Sequence, residues 1–108
     1  MDLNAKQMEV DSFGEQLLII ADVMEDKEVA DALKNRKDKG TMPAIIRATG
    51  LICKRHNADV VRFLALHEGV AENELDITHK NVMTKLIEVI QTPEYRQAFS
   101  LLAKTEDV

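Results

Sequence analysis

Between Thr78 and Ala103 the apolar positions fall into two stripes separated by a proline. Met83, Leu86, Ile87 and Ile90 follow the i, i+3, i+4, i+7 interval that lays one face on a helix, and Tyr95, Ala98, Phe99 and Leu102 repeat it. Pro93 lacks an N–H and pushes Thr92 away from helical backbone angles, so the first helix stops there. The same proline suits the first turn of the next helix, with Thr92 as its N-cap. The pattern predicts a helical elbow with two apolar faces to cover. The rest of the chain, a second copy or a client could cover them.

Upstream, Ser12 followed by Glu15 has the spacing of a capping box and predicts a helix over 13–24. Leu17, Leu18, Ile19, Ile20, Ala21, Val23 and Met24 leave few polar positions in it, so it reads as central to the core or shared with a partner. A strand over 17–21 is the alternative; the length of the segment and its leucines favour helix. A second helix is predicted over 26–37, with Asp26 as N-cap and Val29, Ala32 and Leu33 inside. After the break at Gly40–Pro43, a third runs to about His56, with Ile45, Ile46, Thr49, Ile52 and Cys53 on its buried side. Gly50 weakens that helix by about 1 kcal/mol relative to Ala and would let a neighbour approach closely. A fourth, capped by Asn57, covers 58–68 and ends at Gly69, with Val60, Val61, Phe63, Leu64, Ala65 and Leu66 nearly all round it. Residues 70–77 suit a short turn, after which Asp76 or Thr78 caps the elbow. The expected fold is all-α, a single compact bundle of five to six short helices over 1–108. Residues 1–11 and 104–108 read as flexible ends.

Length and composition narrow the chemistry. One hundred and eight residues bury roughly two-thirds of their unfolded surface, enough for a core without staples. A net charge of −5 argues against a general nucleic-acid binder. The longest apolar run, Leu17 to Ala21, is too short to span a membrane, and the N-terminal residues lack the pattern of a signal peptide. With Cys53 as the only cysteine, a reducing cytoplasm is expected.

No constellation of catalytic or metal-binding residues stands out, so no catalytic, cofactor or metal site is assigned. His56, His67 and His79 lack the three- or four-residue spacing of ligands on one helix face and read as helix-end residues. The acids at Glu72, Glu74 and Asp76 read as solvated caps, and Cys53, beside Leu51 and Ile52, as core. No phosphate-binding loop, nucleophile elbow or dinucleotide fingerprint is present. The basic run Lys34–Lys39 supports an alternative reading, a small DNA-binding or regulatory protein that also uses Arg62 in a helix-turn-helix over 43–67. The would-be recognition helix is too apolar for a major groove.

The C-terminal third resembles the small tail assembly chaperones of long-tailed bacteriophages. The resemblance lies in Glu74-Leu75-Asp76-Ile77-Thr78, in Leu86-Ile87-Glu88-Val89-Ile90, and in Thr92-Pro93-Glu94-Tyr95 with Phe99. It implies a non-enzymatic all-α protein in the host cytoplasm that binds the long, helical tape measure protein and keeps it soluble. It also implies a longer frameshifted form that recruits the tail tube protein. Self-association into a homo-oligomer is compatible with the excess of apolar helix. The contact residues expected on this reading are Leu18, Ile19 and Val23 on the outer side of the first helix, with Tyr95 and Phe99 on the elbow as large anchors.

Overall fold

Asn4 opens the first helix of the computed structural model, which describes residues 4–35 and 40–97. Its side chain accepts from Gln7 N–H at 2.8 Å while the Gln7 side chain accepts from Asn4 N–H at 3.0 Å, a reciprocal capping box. Helix α1 therefore spans Ala5–Met24, not 13–24. Residues 5–11, expected to be a flexible end, are helical because Asn-x-x-Gln supplies an earlier cap than Ser12 and Glu15. Ser12 lies mid-helix, where its hydroxyl donates to the Leu66 carbonyl at 3.4 Å.

Helix α2 (Lys27–Lys34) starts where the sequence predicts, with the Asp26 carboxylate accepting from Glu28 N–H at 3.0 Å. It buries Val29 and Ala32. Helix α3 (Thr41–Arg55) follows Gly40, whose φ of 93° is open to glycine but strained for other residues. His56 ends α3 and begins α4 (Asn57–Glu68), so no loop separates them. Helix α4 is closed by Gly69 in the left-handed region and by a Val70 N–H bond to the Ala65 carbonyl at 3.0 Å. A 3-10 turn, Glu72–Glu74, follows.

The described residues are all-α, with no strand among them. The chain divides into two compact units, 1–75 and 76–108, where the sequence reads as one domain. In the first unit α1 packs chiefly on α4 and α2, and α3 chiefly on α2 and α4. The core holds Ile19 and Val23 of α1, Val29 and Ala32 of α2, Ala44 and Ala48 of α3, and Val60, Phe63, Leu64 and Ala65 of α4. The residues buried on α2 and α3 are small, Val29 and Ala32 on one and Ala44 and Ala48 on the other. The second unit holds α5 (Val82–Ile90), preceded by a turn in which the Asn81 side chain accepts from Thr78 N–H at 2.7 Å. Asn81, and neither Asp76 nor Thr78, is the N-cap of α5. Residues 93–97 are helical, as Pro93 predicts. The Thr92 carbonyl accepts from Arg96 N–H, while its hydroxyl donates back to the Val89 carbonyl at 2.7 Å.

Candidate functional site

Each of the two long helices of the first unit carries a second apolar stripe that the bundle leaves uncovered. On α1 the stripe runs Val10, Gly14, Leu17, Ala21, Met24, in steps of four and three residues, with Leu18 on its edge. Val10, Leu17, Leu18, Ala21 and Met24 are exposed. On α3 it runs Met42, Ile46, Thr49, Cys53 with Ile45 beside it; Met42, Ile45 and Ile46 are exposed and Thr49 and Cys53 half-buried. Alternating steps of four and three are the spacing of a helix–helix seam. A shallow groove between α2 and α3, lined by Ala32, Asn35, Pro43, Ala44, Ile46 and Arg47, opens beside the α3 stripe. In the second unit Met83, Ile87 and Ile90 make an exposed stripe on α5, while Val89 is buried.

This arrangement corrects several expected placements. Ile19 and Val23, expected on the outer side of α1, are each 7% exposed and pack in the core. Leu18 is outward as expected, at 63% exposure. A helix with two apolar stripes has two phases, and the burial of Gln16, Ile19 and Val23 fixes the inner one. Tyr95, expected as a surface anchor, is 1% exposed, and burial, with help from the Glu94 charge, pushes its phenol up to about 12. Phe99 lies outside the described residues, as do residues 36–39 of the basic run. On α3 the isoleucines Ile45 and Ile46 face outward while Ala44 and Ala48 face α2, the reverse of the expected phase. Cys53 is half-buried, and desolvation raises its thiol pKa.

No protein-family model, curated protein or solved structure matches this chain.

The polar groups serve the fold. Asp26, at the α1–α2 elbow, accepts from Arg55 Nε at 2.8 Å and lies 2.8 Å from His56 Nε2. Arg55 also reaches Glu28 at 3.3 Å, and His56 Nδ1 lies 3.6 Å from Asp59. The Arg55 guanidinium, then the His56 ring, hold the Asp26 carboxyl down at about 2. This junction, invisible to motif reading because its partners stand far apart in the chain, ties the α1–α2 elbow to the α3–α4 elbow. Arg62, a candidate DNA reader in the sequence, is paired with Glu15 at 2.6 Å. Gln16, the buried polar side chain of α1, donates to the Ser12 carbonyl at 3.2 Å. Among the described residues no group of three or more His, Cys, Asp or Glu side chains is placed to hold a metal ion, and no helix is long and apolar enough to cross a membrane.

Proposed function

We propose that this chain is a non-enzymatic tail assembly chaperone of the long-tailed bacteriophage type, acting in the host cytoplasm to keep a helical tape measure protein soluble. The observation that carries the reading is apolar helix surface left open in both units, most sharply the Met83, Ile87, Ile90 stripe of α5. A stripe at this spacing fits the apolar face of an amphipathic client helix, and such contacts need no pocket or catalytic group. The acidic surface keeps the loaded complex soluble. The client surface is Met83, Ile87 and Ile90, with Leu18 on α1 in support; Ile19, Val23 and Tyr95 act through the fold. The DNA-binding alternative is weakened by the Arg62–Glu15 pair, which occupies its expected reader.

Co-expression with a tape measure protein tests this. The wild-type chain is expected to carry the client into the soluble fraction and to co-purify with it. The triple change Met83→Asp, Ile87→Asp, Ile90→Asp, all at exposed positions, is expected to release the client while keeping the wild-type helical spectrum. A client that stays insoluble with the wild-type chain, or is held equally by the triple variant, would remove the reading.

A further inference from the structure

The charges beside the two outward stripes of the first unit are of opposite sign. Helix α1 carries Glu9, Asp11, Glu15 and Asp22 against Lys6, with Glu25 just past its end. Helix α3 carries Arg47, Lys54 and Arg55 and no acid at all. The position of the charges matters more than their number. At 100° per residue, Asp11, Asp22 and Glu25 line one flank of the α1 stripe, and Arg47 and Lys54 line the same-handed flank of the α3 stripe. All five are exposed, and none makes an ion pair among the described residues. When two helices lie antiparallel, face to face, their same-handed flanks meet. The acidic rail of one stripe then faces the basic rail of the other. On the opposite flank Phe13 and Ile20 of α1, with the exposed Glu9 beyond them, face Ile45 and Ile52 of α3, so that this edge is largely apolar and carries no base on α3.

Within one chain this pairing is not made, because Val10, Leu17 and Met24 of α1 and Met42, Ile45 and Ile46 of α3 are all exposed. Two α1 stripes placed antiparallel would set acid against acid, and two α3 stripes base against base. The pairing that satisfies the charges joins unlike faces of two copies. We propose that copies of this chain associate head to tail, with the acid-flanked stripe of α1 on one copy lying antiparallel on the base-flanked stripe of α3 on the next. The glycines point the same way. Gly14 lies in the α1 stripe and Gly50 on the charged edge of the α3 stripe, and a Cβ at either would meet nothing in its own chain within 4 Å. Their bare backbones serve close approach by something outside the chain. A contact between unlike faces leaves one of each face unused in every pair, so growth continues until a ring closes or a filament runs on.

Light scattering or sedimentation of the purified chain tests this without any client, so its outcome is separable from that of the client experiment. The wild-type mass is expected to rise above 12.2 kDa with concentration and to fall back toward it in high salt. Asp22→Lys with Glu25→Lys on α1, and Arg47→Glu with Lys54→Glu on α3, each disable one face at exposed positions. Each double variant alone is expected to be monomeric with wild-type helicity. Mixed, they offer two complementary contacts, the wild-type acids of α1 against the wild-type bases of α3 and the introduced lysines of α1 against the introduced glutamates of α3, and are expected to regain association beyond a 1:1 pair. A wild-type chain monomeric at all concentrations and low salt would overturn the proposal. So would an α3 double variant that self-associates as well as wild type, which marks a symmetric α1 contact, or a mixture of folded variants that remains two monomers.

Discussion

Replacing Gly14 and Gly50 by alanine should stabilise the isolated chain. Both sit inside helices, where glycine costs about 0.5–1 kcal/mol relative to alanine through backbone entropy. An added methyl at either position finds open space, so no clash offsets that gain. The two sites stand on different helices and share no partner, and independent sites add, so the double variant should gain about 1–2 kcal/mol. For a domain of this size each kcal/mol is worth about 4–8 °C in Tm. The assay is thermal melting followed by circular dichroism, at high salt and low concentration where only monomer is present. Urea unfolding alongside it should show a higher midpoint at unchanged slope. Gly40 and Gly69 are the internal control. Their φ values of 93° and 72° put a side chain in the left-handed region, so Gly40→Ala and Gly69→Ala should each destabilise by about 1–2 kcal/mol. If Gly14→Ala or Gly50→Ala lowers the monomer Tm, the methyl is meeting something inside the chain. The claim that these glycines serve an outside neighbour then fails.

Leu64→Ala, at a fully enclosed site, should cost about 2–5 kcal/mol, whereas Leu18→Ala should stay within about 0.5 kcal/mol; equal melting temperatures would contradict the assigned phases of the helices. The chain has one tyrosine and no tryptophan, so absorbance reports Tyr95 alone. Its phenol should titrate near 12, and because the fold favours the neutral form, its stabilisation is complete below the ordinary tyrosine range near 10 and lost as pH rises through 12; titration near 10 would mean the ring is solvated. Asp26 has the opposite sign. Its depressed pKa supplies stability above the ordinary carboxylate range that is lost as pH falls toward 2, so Asp26→Asn, which keeps a capping oxygen but drops the charge, should flatten that acid limb of the stability profile. An unchanged limb would place the acid-sensitive contacts elsewhere.

The all-α class and most helix positions are legible from spacing and caps. Asp26 ahead of Lys27, Pro43 in the first turn of α3 and Gly69 behind α4 each act locally, and local signals survive in a one-dimensional reading. The facing of the helices is less legible. On α1 the sets Ile19, Val23 and Leu17, Ala21, Met24 are both periodic and both apolar, so periodicity cannot choose between them; packing against α4 does. On α3, side-chain size argues for Ile45 and Ile46 inside, yet the face that packs holds the small Ala44 and Ala48, one helical turn apart, and periodicity does not rank a pair of alanines above a pair of isoleucines. The early start of α1 is written in Asn4 and Gln7, but the Ser12-x-x-Glu15 spacing offers an equally good cap. The Asp26–Arg55–His56 junction has no sequence signature, because nothing in one element announces its partner in another.

That junction couples two hairpins remote from each other along the chain. Pulling α1 and α2 apart exposes a carboxylate that Arg55 and His56 no longer hold, and parting α3 from α4 moves the two side chains that hold it. Neither corner can fray while the other stays shut. The backbone amides around Met24–Glu28 and around Arg55–Asp59 should therefore exchange with deuterium together, as one cooperative opening.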